Sequence, residues 1–239
     1  MISQRHYLVA AAATAGLFLG SNAQAVVQTV GGTNVWFKYD DAMLGLFGTP
    51  TVVGDSIFFT PTNFVAQSLD GAGTKVTAGT LNIRILPKAN YDLNGISFTE
   101  RGDYLLRGAG SSVGITGQIR VFDVNNFLNE ETAFFATTLP MNINDGNLHN
   151  WAAVASVSLA DAKYDPTTEF NLTLQNRLTA FTQPGVLPSE AFIEKKFTGG
   201  SLVVTAVPEP ELYLLMSLGV AGLAAWRRRK SSRTQQSVA

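Results

Sequence analysis

The 239 residues include no cysteine. Disulfides are therefore excluded, and so are zinc and iron–sulfur sites built on thiolates. Histidine is almost as scarce, with only His6 and His149 in the whole chain. No multi-histidine metal centre can be assembled from these. A Ser-His-Asp relay would depend on His149 alone, with Asp145 its nearest acid in sequence. Charged residues make up only 15% of the chain, and long amphipathic helical patterns are missing. No nucleophile, acid pair or metal cluster declares itself, so the expectation is a protein without enzymatic activity and with no resident cofactor.

What is present begins with an export leader. Arg5 and His6 form a short basic start, Tyr7 to Gly20 is an apolar stretch, and Ser21-Asn22-Ala23-Gln24-Ala25 follows. The small side chains of Ala23 and Ala25 suit the pocket of signal peptidase, which places cleavage after Ala25 and makes residues 1–25 a signal peptide. Setting aside this leader and the C-terminal tail leaves Val26 to Val207, 182 residues, with eleven Lys and Arg against sixteen Asp and Glu. Their net charge of −5 is masked in the whole-chain value of −1 by the basic residues of the two ends. A mildly acidic domain argues against nucleic acid as a partner. Its size permits a core that stands on packing or bound ions without disulfides.

The pattern within 26–207 is that of strands. Along Ser112 to Val124, Val113, Ile115, Gly117, Ile119 and Val121 alternate with the residues between them. The same period of two runs through Leu81, Ile83 and Ile85, through Trp151, Ala153, Ala155, Val157 and Leu159, and through Phe170, Leu172, Leu174 and Leu178. Ser201 to Val207 reads as a closing strand rich in β-branched residues, and Val35 to Tyr39 and Ser56 to Thr60 as shorter ones. Asp70-Gly71-Ala72-Gly73, Asn94-Gly95 and Asp145-Gly146-Asn147 read as turns. Arg101-Gly102-Asp103 reads as the turn of a hairpin joining Ile96–Glu100 to Tyr104–Arg107. Helix signals are confined to Pro188-Ser189-Glu190 with Ala191, Phe192 and Glu194, and to a turn or two within Asn125–Phe135. Many strands at short spacing predict an all-β ectodomain, an antiparallel β-sandwich or jelly roll.

Two Asn/Asp-rich runs offer hard oxygen donors of the kind calcium takes. They are Asp123, Asn125, Asn126, Asn129, Glu130 and Glu131, and then Asn142, Asn144, Asp145 and Asn147. Neither has the spacing of a known calcium loop, and the same residues serve turns. Glu130-Glu131 and Asp40-Asp41 are the adjacent acidic pairs that a glycosidase reading would start from, and it needs two carboxylates facing one cleft. Trp36, Phe37 and Tyr39 on one strand, and Trp151 after His149-Asn150, are either core residues or platforms for a sugar ring.

The tail has three parts in order. Pro208-Glu209-Pro210 removes backbone donors and breaks regular structure. Leu212 to Trp226 then carries no charge, and Arg227-Arg228-Arg229-Lys230 closes it with four cations. As a helix the apolar run covers about 22 Å, short of the ~30 Å of an average hydrocarbon core but within reach of a marginal span. The cations orient it with the C-terminus in the cytoplasm and the domain outside, so they act as a membrane stop.

This breaker, short transmembrane helix and basic stop resemble the PEP-CTERM sorting signal of exported bacterial proteins. The resemblance implies recognition by exosortase, with processing near Pro208, Glu209 and Pro210. It divides the chain into 1–25 signal peptide, 26–207 ectodomain, 208–233 sorting signal and 234–239 cytoplasmic tail. It implies an inner-membrane-anchored precursor, then a cell-surface or extracellular location with a link to exopolysaccharide or biofilm. The functional expectation is an exported non-enzymatic surface or extracellular-matrix protein. The alternatives are a glycan-binding module and, behind it, a secreted hydrolase.

Overall fold

Period-two alternation puts every second side chain of an extended segment on one face, and burying those faces requires two sheets set against each other. The computed structural model describes residues 26–161, 163, 164 and 168–208, with 216, 218, 220 and 223 of the tail. The signal peptide and its Ala23 and Ala25 lie outside the described residues.

Among the described residues there are thirteen strands: β1 (Val27–Gly31), β2 (Val35–Asp40), β3 (Pro50–Val53), β4 (Ser56–Phe59), β5 (Val65–Leu69), β6 (Gly73–Pro87), β7 (Tyr91–Arg107), β8 (Ser112–Asp123), β9 (Glu130–Phe134), β10 (Ala136–Thr137), β11 (Leu148–Ser158), β12 (Phe170–Thr182) and β13 (Glu190–Pro208). The first sheet has the order β1-β2-β6-β12-β8-β9, and the second runs β10-β11-β7-β13-β4-β3, with β5 also pairing β13. Every pairing is antiparallel. The fold is therefore all-β and sandwich-like, as the alternation predicts.

The inward faces form one core. Phe37, Leu81, Ile83, Ile85, Ile119, Val121, Phe170, Leu172 and Leu174 come from the first sheet, and Ile57, Phe59, Ile96, Phe98, Ala153, Ile193 and Leu202 from the second. Aromatic edges interlock within it, Phe47 against Phe64 at 5.5 Å between ring centroids and against Phe59 at 6.1 Å. Such edge-to-face pairs add to the area that the rings bury.

Four expectations are corrected. Arg101-Gly102-Asp103 is not a hairpin turn: β7 runs unbroken for 17 residues through it. Gly102 serves close approach instead, because a Cβ there would stand 1.8 Å from the carbonyl oxygen of Glu194. Asn94-Gly95 likewise lies inside β7. The segment around Ala191 to Glu194 is strand, not helix, because Ala191, Ile193 and Lys195 all turn inward from β13 while Phe192 and Glu194 do not. Asn125–Phe135 holds a loop and then β9 in place of a helical turn. The turns at Asp70-Gly71 and Asp145-Gly146-Asn147 are present, with positive φ at Asp70 (47°), Gly71 (78°) and Gly146 (78°).

Candidate functional site

Three places in the molecule concentrate chemistry. The first is the end of β13. This strand pairs β7 down to Pro208↔Tyr91, so regular sheet continues to the first proline of the sorting tripeptide. Glu209 and Pro210 lie outside the described residues, as do Arg227, Arg228, Arg229 and Lys230. Within Leu212 to Trp226, the described Met216, Leu218, Val220 and Leu223 have helical backbone and are exposed. Among the described residues, no helix is long and apolar enough to cross a membrane.

The second is a groove of about 590 Å³ on the outer face of the first sheet. Lys38, Arg84, Asn171 and Phe122 stand in one row across β2, β6, β12 and β8, each paired in register with the next. The adjoining row brings Asn82 beside Thr173, whose hydroxyl donates to the Asn82 carboxamide oxygen at 2.8 Å. Lys38 and Arg84 both turn to Glu169, at 3.1 and 3.5 Å. Trp36, two residues before Lys38 on the same outward phase, is 40% exposed with Lys88 Nζ 4.6 Å above its ring. This face therefore combines amides, hydroxyls and cations with two aromatic rings, the composition that suits a hydroxyl-rich ligand.

The third is a polar cluster inside the core. Glu100 of β7 and Lys195 of β13 form an ion pair, Nζ to Oε1 2.6 Å, with side chains 0% and 1% exposed. The Asn176 side-chain amide of β12 donates to the other carboxyl oxygen, Glu100 Oε2. Phe64 and Phe47 cover the Lys195 ammonium, their ring centroids 4.4 and 5.1 Å from Nζ. Gly79 leaves the space for those rings: a Cβ there would meet Phe47 at 3.1 Å and Phe64 at 3.2 Å. Burial is the dominant influence on both charges, and it pushes the Glu100 carboxyl up and the Lys195 amine down.

A match to the PEP-CTERM protein-sorting motif covers residues 206–230. The chain carries a PEP-CTERM sorting signal. That signal marks an exported protein with exosortase as its processing partner. Its match begins at Ala206, inside β13, two residues before the expected boundary at Pro208. No curated protein matches the sequence. Among solved structures, the chain is similar to one from a study of the promiscuous specificity of carbohydrate-binding modules of the β-sandwich superfamily. The identity is 8%, the TM-score 0.21, and the match covers 77% of this chain and 87% of that one. A likeness that low carries no argument about ligand.

The remaining sequence candidates of this PEP-CTERM chain are placed as follows. Trp151 is core, its indole N–H shared between the carbonyl oxygens of Glu194 (3.1 Å) and Asp103 (3.2 Å). His149 meets Asp145 at 2.9 Å, and Asp145 Oδ1 also accepts the Asn147 backbone N–H. These contacts hold the Asp145 carboxyl at about 2, with the His149 hydrogen bond the largest cause. Gly110-x-Ser112-x-Gly114, which was not singled out from sequence, has the spacing of a nucleophile elbow, but Ser112 opens a strand, whereas such an elbow joins a strand to a helix. Glu130 is paired with Arg120 and Glu131 with Lys163. Asp123 and Asn126 cap their own loop through the backbone N–H groups of Asn125 and Leu128. Among the described residues, no three His, Asp or Glu side chains converge on one point.

Glu100, Asn176 and Lys195 were not singled out as a site from sequence. Their signal was present as polar residues on inward-facing phases: Glu100 after Ile96 and Phe98, Asn176 between Leu174 and Leu178, and Lys195 after Ala191 and Ile193.

Proposed function

We propose that this is an exported, non-enzymatic surface or extracellular-matrix protein, delivered to the outside as a folded β-sandwich and released or transferred there by exosortase. The observation that carries the reading is the join between body and signal. The sorting motif starts at Ala206, where the last strand is still paired to β7. By sequence, the prolines at 208 and 210 disfavour helix at Val207 and Glu209, which would keep the tripeptide available to an enzyme within the bilayer. Leu212 to Trp226 parks the precursor in the inner membrane, and Arg227 to Lys230 keeps it from slipping through. In a host lacking exosortase, the protein should stay in the membrane fraction, and restoring exosortase should move it to the surface or medium. An unchanged distribution in the two hosts would overturn the reading.

The outer groove favours a second reading, in which the exported domain holds a polysaccharide of the matrix. Asn82, Asn171 and Thr173 offer directional donors and acceptors, Phe122 and the nearby Trp36 offer apolar ring faces, and Lys38 and Arg84 offer charge for acidic sugars. The groove is open and runs across four strands, a shape that admits a chain passing through as well as a chain end.

A further inference from the structure

We propose that Lys195 and Asn176 become joined by an amide bond between their side chains, formed by the protein itself with Glu100 as the proton-transferring group. The inference goes beyond the sorting reading and does not depend on it. The required parts are a nucleophilic amine, a carboxamide carbon and an acid–base group touching both reactants. All three are here, in a pocket sealed from water. One carboxyl group spans the reactants, with Oε1 at 2.6 Å from Lys195 Nζ and Oε2 accepting from Asn176 Nδ2.

The surroundings favour the reactive protonation states. Burial raises Glu100 and lowers Lys195, which eases transfer of a proton from ammonium to carboxylate along their short contact to give an amine and an acid. The amine lone pair attacks Asn176 Cγ, and the new C–N bond gives a tetrahedral carbon with negative charge on Oδ1. Oδ1 is buried and has no hydrogen-bond partner among the described residues, so the Glu100 proton is the donor at hand where that charge develops. The amine nitrogen then gives up a proton through Glu100 to Nδ2, the Cγ–Nδ2 bond breaks, and ammonia leaves. The proton count closes: an ammonium, a carboxylate and a carboxamide become a secondary amide, a carboxylic acid and ammonia. No oxidant, metal or second substrate is needed. Phe47 and Phe64 exclude the water that would otherwise compete for the carbon.

The product also settles the polar groups of the core. As separate side chains, the cluster buries two opposite charges and an unsatisfied carboxamide oxygen, each costly in an apolar interior. After the reaction both charges are gone, and the Glu100 acid can donate to the amide oxygen that had no partner. Position adds a use. Asn176 lies in the first sheet and Lys195 in the second, so the bond ties sheet to sheet in a chain that has no cysteine. Lys195 lies upstream of Pro208 on the strand that leads into the sorting tail. A pull on that end would reach the cross-link before it could peel β13 beyond Lys195.

The test is mass spectrometry of the mature protein purified from an expressing host and fully denatured. The expected intact mass is that calculated for the mature chain from its observed ends, less one ammonia. Trypsin should fail to cut after Lys195 and should yield Tyr164–Arg177 joined to Leu178–Lys196, one ammonia lighter than the two peptides together. Glu100→Gln keeps the shape but cannot relay the proton, so it should restore the unmodified mass and lower Tm by roughly 10 °C. Wild-type protein with the unmodified mass and normal cleavage after Lys195 would overturn the proposal, whether or not the variant folds. A joined peptide formed equally well in Glu100→Gln would overturn the role of Glu100.

Discussion

Lys195 Nζ stands 2.6 Å from Glu100 Oε1 in the middle of the sandwich, and neither side chain reaches solvent. The pair bridges β7 and β13, neighbouring strands of the second sheet, and reaches Asn176 on β12 of the first. Removing one member strands the other. Glu100→Ala should be about 1–3 kcal/mol less stable than Glu100→Gln, because only the Gln amide oxygen still accepts from the Lys195 amine in its apolar pocket. Combining Glu100→Ala with Lys195→Met should recover most of that loss. Denaturant unfolding of the three variants checks this, and a double variant no more stable than Glu100→Ala alone would contradict it.

Gly102 faces the Glu194 carbonyl oxygen and the Trp151 indole nitrogen, which a Cβ would approach to 1.8 and 2.8 Å. Gly102→Ala should therefore push β7 and β13 apart and cost about 1–3 kcal/mol. Arg101→Ala, on the exposed side of the same strand, should stay within about 0.5 kcal/mol of wild type. Equal effects of the two substitutions in thermal melts would be inconsistent with this packing.

Asp145 should titrate at about 2 by NMR, well below an ordinary carboxylate, because the His149 ring and the Asn147 backbone N–H hold its ionised form. The sign follows from the lowered value. The contribution to stability is present above the ordinary 3.8 of the unfolded chain and is lost as pH falls towards 2. His149→Ala should raise the Asp145 value, since it removes the largest cause of the shift. An unmoved titration would show that the ring is not responsible.

The groove reading is checked by affinity electrophoresis of the protein through gels containing alginate, as a uronic-acid polymer, or dextran, as a neutral one. Retardation is expected in at least one gel. Replacing Asn82, Arg84 and Asn171 together by Ala should abolish it while leaving the melt of the domain unchanged, because all three lie on the outer face. Mobility equal to that in a plain gel in both cases would count against a polysaccharide site there.

Much of the fold was legible because a half-buried strand repeats every two residues. Ser112 to Val124, Trp151 to Leu159 and Phe170 to Leu178 fall on β8, β11 and β12 for that reason. Failures came where a local signal met a tertiary cause. Gly102 reads as a turn residue from its neighbours Arg101 and Asp103, but its use is close approach to a strand distant in sequence. Ala191 to Glu194 follow a helix-start pattern, yet inward space for Ala191, Ile193 and Lys195 decides for strand. Trp36, which by sequence could be core or a platform for a sugar ring, is exposed on the outer face. The buried cluster was overlooked for a related reason. A lone Glu, Asn or Lys in an apolar alternation looks like a break in the pattern, and only the register of three strands shows that the breaks coincide.

The measurement closest to the central claim is the mass of the mature protein isolated from the surface or medium of its native host. Removal of the leader predicts an N-terminus at Val26, and sorting through the PEP-CTERM signal predicts a C-terminus near Pro208-Glu209-Pro210, with the apolar run and its basic stop gone. Glu209→Ala should leave the full tail attached, since it removes the charged member of the tripeptide. Recovery of peptides containing Trp226 and the following arginines from surface-located wild-type protein would contradict the account and mark the tail as a permanent anchor.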